Sequence, residues 1–134
     1  MGVQLTKDSI DLGIVVKDID AALGFYRDTL GFEAAGDSDM PGGMHMWRLM
    51  CGTSMVKLLT SQREPKAVAP PGGIAGGTGY RYWTISVSNL DELVAACDAG
   101  GYKVALPATT IRPGIKIAMV EDPEGNWVEV LTET

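Results

Sequence analysis

Four residues that could take part in chemistry occupy matched positions in a faint internal repeat of this sequence of 134 residues. Asp11 and Tyr82 are related by an offset of 71 residues, and Lys57 and Glu129 by an offset of 72. Together they offer an ammonium, two carboxylates and a phenol. A fixed cation can stabilise an enolate, and a carboxylate can move a proton. This set of side chains could therefore support proton transfer on a carbonyl compound.

The repeat rests on three segments that recur in the same order. The matched pairs are Val16–Asp20 with Val87–Asp91, Gly31–Glu33 with Gly101–Lys103, and Val56–Thr60 with Val128–Thr132. Ordered recurrence of this kind indicates two copies of one supersecondary unit. Because duplicated units usually pack about a pseudo-twofold axis, we expect matched positions to face one cavity.

The first copy has the pattern of a β-α-β-β-β unit. Leu12–Val16 predicts a buried strand, Asp18 a helix N-cap, and Gly31 the helix end. Phe32–Ala35 predicts a second strand, and Gly36–Gly43 a polar loop. The expected final hairpin of this copy comprises Met44–Cys51 and Met55–Thr60.

The second copy repeats this order. The predicted strands and helix are Tyr82–Val87, helix Leu90–Ala99, Tyr102–Ala105, and a hairpin of Ile115–Val120 with Trp127–Leu131. Asp122–Asn126 closes that hairpin with residues that favour a turn. The chain is thus expected to form a single α+β domain.

We place module one at about residues 9–62 and module two at about residues 80–134. Residues 63–79 carry three of the seven prolines and five glycines, with no helical or strand period. Such a segment can connect two modules or act as a flap over a cavity, and the sequence leaves both interpretations open.

The net charge of −6 argues against nucleic acid as the main partner, since phosphate binding needs a basic surface. No apolar run approaches the roughly 18 residues that span a bilayer, and the first residues lack a signal-peptide pattern. We expect a cytoplasmic protein with a small-molecule partner and no membrane partner.

Three motifs carry a family resemblance. They are Val16-x-Asp18, the segment Phe25–Phe32, and Asp122–Asn126 followed by Glu129. Between about Ile10 and Thr132 the sequence resembles the vicinal oxygen chelate superfamily, which includes glyoxalase I, methylmalonyl-CoA epimerase, extradiol dioxygenases, fosfomycin resistance enzymes and bleomycin resistance proteins. The resemblance implies two β-α-β-β-β modules forming a glyoxalase-like partial barrel, and a homodimer.

The resemblance also implies a divalent metal held by four side chains, two from each module. The corresponding positions here are Asp11, Lys57, Tyr82 and Glu129. A protonated lysine has no lone pair to donate, and the only histidine in the chain is His45. We therefore predict no resident metal or other cofactor, although Asp11 and Glu129 could hold a weak magnesium or manganese ion with waters.

Two interpretations of Lys57 remain open. It could lie between Asp11 and Glu129 as a structural ion pair, since a buried cation must be paired. Alternatively, it could replace the metal and act as the catalytic cation, with Glu129 or Asp11 as general base and Tyr82 as donor to the substrate oxygen.

Candidate substrate-binding residues follow from strand alternation. Tyr82, Thr84 and Ser86 share one face of a strand, so we expect them to line the cavity. The apolar alternates Trp83, Ile85 and Val87 should pack under the helices. His45 and Trp47 are added because an imidazole suits proton transfer and an indole suits an aromatic pocket.

Three functions remain in competition. The first is a lyase or isomerase that transfers a proton on a carbonyl-bearing substrate without the usual metal. The second is a protein that sequesters a drug-like molecule, as bleomycin resistance proteins do. The third is a metal-dependent glyoxalase or dioxygenase with an atypical ligand set.

Overall fold

In a computed structural model that describes residues 1–134, the chain forms two four-stranded sheets. The first sheet has the order β1-β4-β3-β2, with β1 Asp11–Val15, β2 Glu33–Met40, β3 Met44–Cys51 and β4 Ser54–Ser61. The second has the order β5-β8-β7-β6, with β5 Tyr82–Ser86, β6 Val104–Arg112, β7 Ile115–Glu121 and β8 Trp127–Glu133. This arrangement confirms the predicted α+β class and the duplicated unit, and neither sheet closes into a barrel.

Both sheets have the same internal pairing. The first strand of each module runs parallel to the last one, β1 with β4 and β5 with β8. The other neighbours are antiparallel. Strands β1 and β2 are therefore the edges of the first sheet, and β5 and β6 are the edges of the second.

The helices connect the first two strands of each module. Helix α1, Ile19–Leu23, begins after Asp18, whose carboxylate accepts the Ala21 N–H at 3.1 Å as the sequence predicts. It continues as a π-helical segment, Gly24–Thr29. Helix α2, Leu90–Ala99, ends at Gly100. None of the helices has the length and apolar character needed to cross a lipid bilayer.

One core joins the two modules. The π-helical segment contributes Phe25 and Tyr26, which are fully buried. The Phe25 ring centroid lies 4.9 Å from that of Tyr102, and the Tyr26 ring stacks at 6.2 Å on Trp83. The remaining core side chains come from the sheet faces under the helices, mainly Leu49, Val56, Leu58, Ala118, Val120, Val128 and Val130. Burial of these aromatic rings ties module one to module two.

The prediction of a loop over Gly36–Gly43 is largely wrong. Strand β2 runs through most of it, to Met40, and only the last three residues form the turn. The pairing of β2 with β3 shifts between Ala34 and Asp37, and Gly36 has φ of 91° there. This is a β-bulge in which glycine takes the left-handed conformation, so a turn-forming residue lies within a strand.

The predicted strand Tyr102–Ala105 is also too short, because β6 extends to Arg112. Pro107 has no N–H to donate to a neighbouring strand, so the sequence alone does not predict that a strand continues through this residue. Strand β6 is at the edge of its sheet, and its pairing with β7 shifts around this residue. An edge strand tolerates proline, so the chain continues extended.

The segment between the modules is docked on module two. It contains one 3₁₀ turn, Gly73–Ala75. Arg81 donates to the Gly73 carbonyl at 2.6 Å and to the Pro70 carbonyl at 2.7 Å. A Cβ at Gly73 would lie 2.2 Å from the Trp127 ring, so the backbone rests directly on the indole.

Candidate functional site

Each sheet has one face under the helices and one open face. On β4 the alternation is clear, since Val56 and Leu58 are buried in the core whereas Lys57 points to the other side. We use the term open face for the side that carries Lys57 in module one and Glu129 in module two. Lys57 is the ladder partner of Gly13, and Glu129 is the ladder partner of Thr84.

On the open face of module one, Asp11 is engaged by two lysines. Lys7 Nζ lies 2.6 Å from Asp11 Oδ1, and Lys57 Nζ lies 3.5 Å from Asp11 Oδ2. The Asp11 and Lys57 side chains are 31% and 32% exposed. The hydrogen bond from Lys7, assisted by Lys57, lowers the pKa of Asp11 below its ordinary value against the opposing effect of partial burial. Asp11 is thus held as an anion.

On the open face of module two, Glu129 has a neutral partner. Thr84 Oγ1 donates to Glu129 Oε1 at 2.7 Å, and no cation pairs with this carboxylate. Tyr82, Thr84 and Ser86 are exposed on this face while Trp83, Ile85 and Val87 pack against the core, as the alternation predicts. The Tyr82 hydroxyl has no hydrogen-bond partner in the chain.

The predicted position of Lys57 between two carboxylates is wrong in one respect. Lys57 contacts Asp11, but Glu129 bonds to Thr84 instead. Of the four matched residues, only Asp11 and Lys57 therefore form a pair, and they do so within module one. Lys7 also contacts Asp11, and the irregular N-terminal segment that carries Lys7 has no periodic pattern from which this contact could be predicted.

His45 and Trp47 are not brought together with these residues. Both lie on the helix-side face of β3, because their register parity is that of buried Leu49. His45 Nε2 is 2.6 Å from Asp37 and Nδ1 is 2.7 Å from Asp39. These two hydrogen bonds raise the pKa of His45. The short turn after Cys51 fixes the register of β3 against β4. The face on which His45 and Trp47 lie could therefore have been predicted from the sequence.

Arg48 is a further residue of the open face, and no motif in the sequence indicates it. Its ladder partner is Lys57, so the two side chains share the open face. Arg48 Nη2 donates to Ser38 Oγ at 2.9 Å, and no carboxylate contacts the guanidinium. Side chains alternate along β3, so Arg48 lies on the open face and His45 lies on the opposite one.

The turn Asp122–Asn126 joins the modules. The carboxylate of Asp122, 4% exposed, accepts the Tyr26 hydroxyl at 2.6 Å. It also accepts the Glu124 and Asn126 N–H groups, at 2.8 and 2.9 Å, and the Asn126 side chain at 2.9 Å. Burial, together with the Asp122 charge, raises the pKa of Tyr26 well above its ordinary value. The turn that supports the family resemblance thus fastens the first helix to the second sheet.

A cavity of about 860 Å³ runs along the free edge of β1 to the beginnings of β5 and β8. Asp11 and Tyr82 both line it, and most of the other lining residues are apolar. Its remaining walls include Ile14, Val68, Trp83 and Trp127. This cavity is large enough for a drug-sized molecule.

The four matched residues do not form a set that fits a divalent metal. No three His, Cys, Asp or Glu side chains lie close enough to hold an ion together. The ammonium of Lys57 stands beside Asp11, where it would repel a divalent cation. A low metal content of the purified protein stays a prediction.

Comparison with known proteins agrees with the duplicated fold. Residues 9–130 match the Glyoxalase/Bleomycin resistance protein/Dioxygenase superfamily, and the chain belongs to that superfamily. This confirms the resemblance found in the sequence. No curated protein matches the chain closely enough to count as a relative.

Solved structures of this superfamily superpose over most of the chain. A glyoxalase family protein from Bacillus cereus gives a TM-score of 0.83 at 16% identity, covering 98% of this chain and 96% of that one. The trypanothione-dependent glyoxalase I of Leishmania major gives 0.67 at 22% identity, with coverage of 92% and 84%. A lactoylglutathione lyase from Agrobacterium tumefaciens gives 0.63 at 27% identity, with coverage of 92% and 91%.

Proposed function

We propose that this protein is a lyase or isomerase that transfers a proton on a carbonyl-bearing small molecule without a resident metal. The observation that carries the proposal is the contrast at the matched positions. Lys57 supplies a cation on one open face, and Glu129 supplies a carboxylate without a cationic partner on the other. These are the two charges that enolate chemistry requires.

Glu129 suits the role of general base better than Asp11. Thr84 fixes Oε1 of Glu129 and leaves Oε2 without a hydrogen bond. Asp11 instead faces two ammonium groups, which lower its pKa and its basicity. Glu129 would take the proton from the carbon next to the carbonyl, and the electron pair of that C–H bond would move to the carbonyl oxygen.

Lys57 would stabilise the resulting enolate oxygen, with the Tyr82 hydroxyl as a second donor. Return of the proton to the opposite face of the same carbon completes an isomerisation, whereas loss of a β-substituent with the same electron pair completes a lyase reaction. In either case, catalysis depends on an interaction between Lys57 and the substrate oxygen that is stronger in the transition state than in the ground state. The lyase name of the Agrobacterium structure supports this reaction type.

The direct test is proton exchange, because it does not require the complete reaction to be known. Small aldehydes, ketones and oxo acids would be incubated with the protein in D₂O and followed by NMR. We expect exchange at the carbon next to the carbonyl, with Lys57→Ala slowing it by about 10²–10³-fold or more and Glu129→Gln abolishing it. Lys66→Ala, a matched change in the exposed linker, should leave the rate unchanged. An unchanged rate in Lys57→Ala would contradict the assignment.

A second candidate is a protein that binds and sequesters a drug-like molecule. The large and mainly apolar cavity beside β1 favours it. Such a protein would show a raised melting temperature with a bulky cationic ligand and would consume none of it. Mass spectrometry of the recovered ligand separates the two candidates. The homodimer stays a prediction, which sedimentation at micromolar concentration would test.

A further inference from the structure

Three alternate rungs of the β3–β4 ladder cover the open face of module one. The paired residues are Met46 with Leu59, Arg48 with Lys57, and Met50 with Met55. All six side chains are half-buried. Two cations are therefore set between two apolar rungs.

The central rung, Arg48 with Lys57, has more positive charge than its neighbouring carboxylates balance. Like charges directly opposite each other destabilise an antiparallel pair, since their Cβ atoms are only about 5 Å apart. One carboxylate, Asp11, contacts Lys57, and its other oxygen is taken by Lys7. Arg48 bonds only to the neutral Ser38. Two cations thus lack a full counter-charge in a chain whose net charge is −6.

We propose that the Arg48–Lys57 rung binds the carboxylate of a small organic acid. Arg48 Nε and Nη1 have no partner in the chain, and each can donate a charge-assisted hydrogen bond to a carboxylate oxygen. Its ladder partner Lys57 would then lie beside the bound acid. The inference deepens the proposed function and rests on it, because it identifies the substrate class as carbonyl compounds that carry an acid group.

The flanking rungs favour an organic acid over an inorganic anion. Methionine side chains are flexible and polarisable, so they adapt to apolar bodies of varied shape. Inorganic phosphate would leave these four apolar side chains without a partner. The hydrogen bond to Ser38 holds Nη2 of the guanidinium, which orients the remaining N–H groups before the ligand arrives.

The test compares pyruvate with methyl pyruvate, which share a ketone and differ in charge. Dissociation constants would be measured by NMR titration of the full-length protein. Because a charge-assisted hydrogen bond contributes more than a neutral one, we expect pyruvate to bind about tenfold more tightly. Arg48→Met extends the methionine surface and should remove this preference. Arg112→Met makes the same change on β6 of module two and should retain it.

Three results would overturn the inference. They are equal binding of the acid and its ester, a preference that survives in folded Arg48→Met, and inorganic phosphate binding more tightly than pyruvate. A protein with no saturable response to pyruvate would overturn it as well. If pyruvate binds through Arg48 but no carbonyl compound exchanges protons, the proposed catalysis fails and the carboxylate site stands.

Discussion

The two modules share topology and register but differ at the same central position. Lys57 lies beside Gly13 and Arg48, whereas Glu129 lies beside Thr84 and Met119. In module one, Gly13 leaves open space beside Lys57, and Arg48 adds a second cation. In module two they supply a hydroxyl donor and a buried apolar side chain, Met119 being 4% exposed. The fold fixes where these residues stand, and the residue types decide what each face can do.

The modules also differ in how their last hairpins end. The turn at Gly52–Thr53 in module one is short and exposed. The longer turn in module two buries Asp122, which accepts a hydrogen bond from Tyr26 of the other module. Only the second turn therefore holds the modules together.

The largest effect should come from breaking that contact. Asp122→Ala leaves the buried Tyr26 hydroxyl and two backbone N–H groups without their acceptor. We expect a loss of about 3 kcal/mol in the free energy of unfolding, measured by urea denaturation. Thr53→Ala in the exposed turn of module one should change it by less than about 0.5 kcal/mol. Equal effects at the two turns would show that the turns are equivalent.

The linker provides a second contrast, since its 3₁₀ turn rests on Trp127 of module two. In Gly73→Ala the new Cβ would lie 2.2 Å from the indole, at a φ of 56°. We expect destabilisation by about 1–3 kcal/mol and a shift in tryptophan fluorescence. Gly79→Ala has φ of 94° but no atom within 4 Å, so it tests backbone strain alone. Identical spectra for the two variants would mean that the turn does not dock.

Much of this architecture was predictable from the sequence. Both modules could be predicted from the repeat, the apolar strands and the turn residues. The start of α1 could be predicted from Asp18. The limits of β2 and β6 were not predictable, because Gly36 and Pro107 resemble loop residues until a bulge or a sheet edge accommodates them. Arg48 could have been found by counting parity across the hairpin from Lys57. Lys7 and the cavity depend on irregular segments whose path no periodicity specifies.

Alanine at the matched neighbours of Lys57 and Glu129 should have opposite effects. Thr84→Ala removes the hydrogen bond to Glu129 and should destabilise by about 1 kcal/mol. Gly13→Ala meets only Leu59, at an ordinary 3.7 Å, and should stabilise by about 0.5 kcal/mol because glycine is unfavourable within a strand. Thermal and urea unfolding of the two variants would measure both. Destabilisation by Gly13→Ala would indicate that the space beside Lys57 is more restricted than the structure shows.

The smallest effect concerns His45, which lies on the opposite face of module one. Asp39 and Asp37 raise its pKa above 6.5, so the folded state binds the proton more tightly than the unfolded state. The resulting stability is present below pH 6.5 and is lost as the pH rises through the folded-state pKa. Because the His45 side chain and its aspartate partners are accessible to solvent, the melting temperature should fall only slightly. His45→Gln should remove this pH dependence, and its persistence in that variant would assign it to another group.

In our proposal, Lys57 takes the position of a metal ligand and supplies the positive charge in its place. Elemental analysis of protein purified without chelator or metal-affinity resin tests it most directly. The structure leads us to expect far less than one equivalent of zinc, nickel, iron or manganese per chain. One equivalent of such a metal, lost together with proton exchange in Glu129→Ala, would contradict the claim and show that chelate chemistry operates in this chain.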